Sequence, residues 1–251
     1  MVKAGFLVLI VGISGVVSVT ARGETVLGQI DLAKEKVGEA PATAALGPGE
    51  TARQFAYINV KGGNTLTVAE GLGNLKGPVL KFVKQDDVNG APAATLAIDP
   101  VRAGKVRITW QAIIQEYNKG SRSQTAEPLL TVNLIGKDGL FIFSLEYLVM
   151  EGSGGGQFSI PDFKPRLDRW DFKDFNTFVL DVDFDAQTST LTIDGKLAGE
   201  KIKFANAGPL RFVQFRDGTG LGAVDGKFVG AVSNIKVVRD PDAKAGGKEN
   251  K

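Results

Sequence analysis

The chain has 251 residues, 32 of them Gly, a formal net charge of +2, and neither His nor Cys. Without His or Cys, the Ser-His-Asp and Cys-His nucleophile systems and imidazole–thiolate zinc sites cannot be built in their usual form. Lys and Arg are interspersed with Asp and Glu, so the concentrated positive surface that nucleic-acid binding needs is missing. The chain opens on Lys3, an apolar run from Ala4 to Val19, and small residues at Val19 and Ala21. That pattern predicts a secretory signal peptide over 1–21. The run is short for a bilayer crossing of about 20 residues, and no second run of that length follows. The expectation is a secreted or periplasmic protein with no membrane segment after cleavage. Export without Cys fits a bacterial envelope or secreted protein.

From residue 22 to 239 the sequence predicts a single β-sandwich domain. Short apolar runs punctuated by Gly, Pro, Asn and Asp predict strands over 54–60, 64–70, 78–84, 94–98, 105–116, 129–135, 139–150, 176–185, 189–194, 201–204, 209–215 and 227–239. The one helical candidate, 31–40, is interrupted by Gly38 and followed by Pro41. In 105–116, Val106, Ile108, Trp110 and Ala112 share one face, opposite Arg107, Thr109 and Gln111. Trp110 is therefore expected in the core. In 176–185, Phe178, Leu180, Val182 and Phe184 oppose Asp181, Asp183 and Asp185. Glu151–Gln157, Gly-rich, is expected to be a mobile loop, and the polar segment 240–251 a disordered tail. Many strands with almost no helix imply two packed sheets or a barrel.

The stretch FNTFVLDVDFDAQTSTLTIDGKLAG resembles concanavalin A-like and laminin G-like domains, in which a strand after an aromatic turn leads into a hairpin ending in Asp-Gly. KFVGAVSNIKVVRD is similar to their last strand, and IDLAKEKVGEAPATA to the opening of bacterial exported members. The resemblance implies an all-β, two-sheet antiparallel jelly-roll sandwich. Its members bind glycans, cleave polysaccharides or serve as adhesion and interaction modules, and the fold does not choose among them. Laminarinase-type glycosidases on this fold carry Glu-x-Asp-x-Glu on one strand face. Asp181, Asp183 and Asp185 differ in being three Asp, and they lie just before the Asp194-Gly195 turn, where the resemblance places a non-catalytic strand. They are expected to form a solvated face of an edge strand. Glu116 and Glu146 are the remaining strand-borne carboxylates for a cleavage reaction.

Sugar recognition combines aromatic faces with planar polar groups. The segment 161–176 carries Arg169, Trp170 and Phe172 among Asp residues, and is a candidate glycan-binding loop. Gln115 and Tyr117 are further candidates on the long strand 105–116 and its end. Arg107 and Gln111 join them if their face of that strand lines a groove. Any metal would be a hard, oxygen-bound cation such as calcium, with Asp217 and Asp225 flanking the Gly-rich stretch 216–226 as its candidate ligands. The functional expectation is a non-catalytic, lectin-like protein recognising a glycan or polysaccharide. The alternatives are a polysaccharide-cleaving enzyme on the same fold and a structural or adhesion module without a small ligand.

Overall fold

The computed structural model describes residues 24–85, 91–118, 127–149, 156–160, 169–170, 174–217 and 227–240. Its strands are β1 (Thr25–Gln29), β2 (Tyr57–Asn59), β3 (Thr65–Leu72), β4 (Leu75–Lys84), β5 (Ala93–Val101), β6 (Lys105–Asn118), β7 (Glu127–Gly136), β8 (Phe141–Val149), β9 (Gly156–Ser159), β10 (Arg169–Trp170), β11 (Asn176–Asp183), β12 (Thr188–Ile193), β13 (Lys196–Lys203), β14 (Leu210–Asp217) and β15 (Lys227–Asp240). They form two antiparallel sheets. The first runs β13-β12-β11-β6-β15-β4-β3, with β1 also on β15; the second runs β10-β9-β8-β7-β14-β5-β2. This is a two-sheet antiparallel jelly-roll sandwich. No helix among the described residues is long and apolar enough to cross a membrane.

The alternation read from the sequence builds the core. Phe178, Leu180 and Val182 of β11 face inward beside Val106, Ile108 and Trp110 of β6, their register partners being Trp110, Ile108 and Val106. Between the sheets, Trp110 stacks on Phe178 with centroids 5.0 Å apart. Its indole Nε1–H donates to the Tyr147 hydroxyl at 3.0 Å, joining the first sheet to the second. Tyr147 and Phe158 complete the aromatic cluster against Phe178, at 5.3 and 5.2 Å. Trp110 is 1% exposed, as expected of a core residue.

The outer face of the first sheet is closed in part by its own hairpin. The β3–β4 turn carries Leu72 and Leu75 over the sheet, where they pack with Val79, Ile113, Val229 and Ala231 in a second, smaller core, flanked by Phe175. Gly73, at φ +59°, makes that turn, and a Cβ there would meet Ile113 Cδ1 at 2.9 Å.

Several local expectations are corrected. The helical candidate 31–40 contains only a 3-10 turn, Leu32–Lys34, capped by Asp31; Glu35 is already extended and Gly38 has φ +87°. The strand bearing the Asp residues is not an edge: β11 lies between β6 and β12. It also ends at Asp183, so Asp185 belongs to the following turn. Two strands, β9 and β10, lie in the Gly-rich and aromatic segments that the sequence reads as loops, and β1 is a strand that its pattern does not announce.

Candidate functional site

The outer face of the second sheet is polar and hollowed. On β5, residues 93, 95 and 97 point outward, opposite Ala94, Leu96 and Ile98, which join the main core. These outward residues are Ala93, Thr95 and Ala97, and Ala91 extends the row just before the strand. All are small. The strands on either side carry larger side chains at the matching positions. Tyr57 and Asn59 of β2 pair with Thr95 and Ala93. Phe212, Gln214 and Arg216 of β14 pair with Ala97, Thr95 and Ala93. A row of short side chains between two taller rows leaves a trough along β5. Two adjoining hollows occupy it, of about 320 and about 240 Å³, sharing Asn59, Ala93 and Gln214 as lining. Tyr57 is 62% exposed and stands at its wall, its ring 6.3 Å from that of Phe212.

Across the sheet, strand register arranges the outward side chains in rungs, with neighbouring strands roughly 4.8 Å apart. One rung is amide and hydroxyl: Tyr57, Thr95, Gln214, Asn133 and Ser144. Its members fix one another. Gln214 Nε2 donates to Thr95 Oγ1 at 3.3 Å, Asn133 Nδ2 to Gln214 Oε1 at 3.3 Å, and Ser144 Oγ to Asn133 Oδ1 at 2.8 Å. The next rung holds Asn59, Ala93, Arg216, Thr131, Glu146 and Ser159. Burial holds the Glu146 carboxyl above its ordinary pKa. A third rung is apolar, with Ala97, Phe212, Ile135 and the exposed Phe141. The face thus offers aromatic surface, a pre-organised chain of planar hydrogen-bonding groups, and the Arg216 guanidinium.

None of the described side chains singled out in the sequence lines either hollow. Arg107 and Gln111 occupy the outer face of the first sheet. Arg107 Nε and Nη2 donate to the Asp181 carboxylate at 2.7 and 3.1 Å, and that hydrogen bond raises the guanidinium's pKa. Gln111 Nε2 donates to Thr177 Oγ1 at 3.2 Å, and its Oε1 accepts from Asn234. Both side chains are committed to neighbours within the sheet. Gln115 is exposed near the end of β6, where a bulge shifts the register with β15. The backbone of Tyr117 pairs with Phe228. Arg169 and Trp170 form β10 against Gln157 and Gly156, at the edge of the second sheet. The side chains of Tyr117, Arg169 and Trp170, and all of Phe172 and Asp225, lie outside what is described. Asp217 ends β14 fully buried, on the inward parity of Val213 and Phe215. Among the described residues no group of three or more acidic side chains is placed to hold a metal ion.

The acidic triplet serves the first sheet. Asp181 and Asp183 face Arg107 and Lys105 directly across β6, with Lys105 Nζ 3.7 Å from Asp183. Asp183 Oδ1 also accepts from the Asp185 and Ala186 amides at 3.1 and 2.9 Å, closing the turn. Asp185 Oδ1 accepts from the Gly104 amide at 3.2 Å. At the β12–β13 turn, Asp194 (φ +49°) and Gly195 (φ +74°) take the left-handed conformations of a two-residue hairpin. The Asp194 carboxylate accepts from the Thr177 amide at 2.8 Å and from Asn176 Nδ2 at 2.7 Å. These carboxylates are structural.

Sequence reasoning found β5 but not the trough. The available signal was the period-two run of small residues at 91, 93, 95 and 97. It gains meaning only beside the taller rows of β2 and β14, which are distant in the chain.

No family model and no curated relative matches the chain. Solved structures do. A sialidase superposes with a TM-score of 0.50 at 11% identity, over 68% of this chain and 16% of that one. An endo-beta-1,4-glucuronan lyase from the fungus Trichoderma reesei gives 0.48 at 11% identity, over 75% and 94%. A family 7 alginate lyase, A1-II′, gives 0.46 at 10%, over 65% and 78%. This chain therefore spans only a small part of the sialidase. At such identities the likeness is one of fold.

Proposed function

We propose that the protein is an exported carbohydrate-binding protein and that a glycan chain lies along the trough over β5. The observation that carries this reading is the small-residue floor of Ala91, Ala93 and Thr95 between the Tyr57 and Phe212 rings and the Gln214 amide. A pyranose has an apolar face that stacks on aromatic rings and a hydroxyl edge that needs donors and acceptors in fixed directions. The Thr95–Gln214–Asn133–Ser144 rung supplies such groups already held in place, so little ordering entropy is lost on binding. On the opposite face the Arg107 guanidinium is already neutralised by Asp181.

Binding is preferred to hydrolysis because hydrolysis of a glycosidic bond by the usual route needs two carboxyl groups flanking it. Neither hollow is lined by a described acidic residue. One observation favours the second reading, polysaccharide cleavage: Glu146 is a half-buried carboxyl with a raised pKa on the same face, beside Thr131 and Ser159.

The test is calorimetric titration of the full chain with a panel of neutral and acidic oligosaccharides, followed by product analysis. Tyr57→Ala is expected to weaken binding about 3- to 10-fold, the worth of one aromatic contact. Binding without new reducing or unsaturated ends supports the first reading, and product formation abolished by Glu146→Gln the second. A protein that binds no member of the panel counts against both readings.

A further inference from the structure

The charge of the trough points to the chemistry of its ligand, on the premise that the trough binds a glycan. Arg216 and Lys61 both line the smaller hollow, from opposite sides of β5. Asn59 and Gln214 stand beside them with amide groups. No described acidic residue lines either hollow. Among the described residues, no carboxylate forms an ion pair with Arg216 or Lys61. Elsewhere on the molecule, by contrast, Arg107 is paired with Asp181 and Lys105 with Asp183. The described carboxyl nearest on the same rung, Glu146, lies two strands beyond Arg216, roughly 10 Å away.

We propose that the ligand is an anionic glycan, whose carboxylate or sulfate groups are received by the Arg216 guanidinium with Lys61 on the facing wall. Guanidinium is planar and presents paired N–H donors matched to two oxygens of one oxyanion, and the flanking amides donate to the remaining oxygens or to ring hydroxyls. Lys61 is exposed and acts as a point charge rather than a directional partner. A neutral glycan would leave the cationic pair without a partner of opposite charge, so the same trough discriminates by charge as well as by shape.

The test uses the full chain and three probes: hexagalacturonate, its carboxyl-reduced neutral counterpart, and a sulfated galactose oligomer. Affinities are measured by calorimetry at about 50 and about 200 mM salt. The expected result is that at least one anionic probe binds about tenfold or more tighter than the neutral one, with the advantage shrinking at the higher salt. Arg216→Gln is expected to lower that affinity about 10- to 100-fold, with Arg216→Lys losing less, and with the melting temperature unchanged. The carboxylate and sulfate arms tell which oxyanion is preferred. Equal binding of the neutral probe, or an Arg216→Gln affinity equal to that of the native protein, overturns the inference. If the neutral probe binds and Tyr57→Ala weakens it, the trough remains a glycan site and only the anionic assignment falls. If no probe binds the native protein, both fall.

Discussion

The hydrogen bond that joins the two sheets gives the sharpest test of the physical reasoning. Trp110 and Tyr147 are each 1% exposed, and the Trp110 Nε1–H donates to the Tyr147 hydroxyl at 3.0 Å. Tyr147→Phe keeps the ring and its contacts with Phe158 and Phe178, but removes the acceptor. The indole N–H is then buried away from water without that partner. Such a group costs about 1–3 kcal/mol. For a domain of this size each kcal/mol lowers the melting temperature by about 2–4 °C, so the loss spans about 2–12 °C. Trp110→Phe removes the donor and part of the packing volume, and costs more. The double variant removes both the indole N–H and the hydroxyl it bonds, so its destabilisation falls short of the sum of the two single effects by about 0.5–3 kcal/mol. Urea unfolding followed by tryptophan fluorescence and by circular dichroism measures all four proteins. A Tyr147→Phe variant within about 0.5 kcal/mol of the native protein, or a strictly additive cycle, would refute the bridge.

Three further outcomes follow from local geometry. Gly230→Ala places a Cβ 2.5 Å from Phe228 Cζ and 3.1 Å from the Ile113 carbonyl oxygen; overpacking of this kind costs about 1–3 kcal/mol in a denaturant titration. Asp194→Ala removes the acceptor of the Thr177 amide and puts Ala at φ +49°, a loss of about 1–2 kcal/mol, whereas Asp194→Asn, which tolerates that conformation and keeps an acceptor oxygen, loses less. Glu146→Gln tests the half-buried carboxyl. Because its folded pKa is raised, the native state binds that proton more readily than the unfolded chain does, and the proton's stabilising contribution disappears as pH rises through the folded value. The variant is therefore expected to melt higher than the native protein at pH 7, with the difference vanishing below the ordinary Glu pKa of about 4.3. A constant difference across that range would contradict the burial argument.

How much of this was legible in the sequence depended on how local the signal was. The period-two alternation in β6 and β11 named Trp110, Phe178, Leu180 and Val182 as core correctly, because side-chain facing follows from the strand alone. The Asp194-Gly195 turn was legible for the same reason. What alternation cannot supply is register. Asp181 looks like a solvated carboxylate until β6 is laid beside it and Arg107 falls opposite. Arg107 and Gln111 were attractive binding candidates on polarity, and both proved to be held within the first sheet. The strands β9 and β10 are four and two residues long, too short to show a period, and β9 begins within a Gly-rich stretch. The trough escaped because alanines carry little signal in a hydrophobic pattern, and its meaning resides in the height of residues some 40 and 120 positions away.

The walls and floor of the trough come from Tyr57, Ala93 and Arg216, brought together only by pairing of β2 and β14 with β5. On the proposed reading, ligand affinity is thus a property of the folded chain: a peptide excised from any one of these strands is expected to lose it. Saturating ligand at a hundredfold excess over its dissociation constant would add about 2.7 kcal/mol to the folding equilibrium. If the trough binds a glycan as proposed, a rise in melting temperature measured oligosaccharide by oligosaccharide is the expected signal of it.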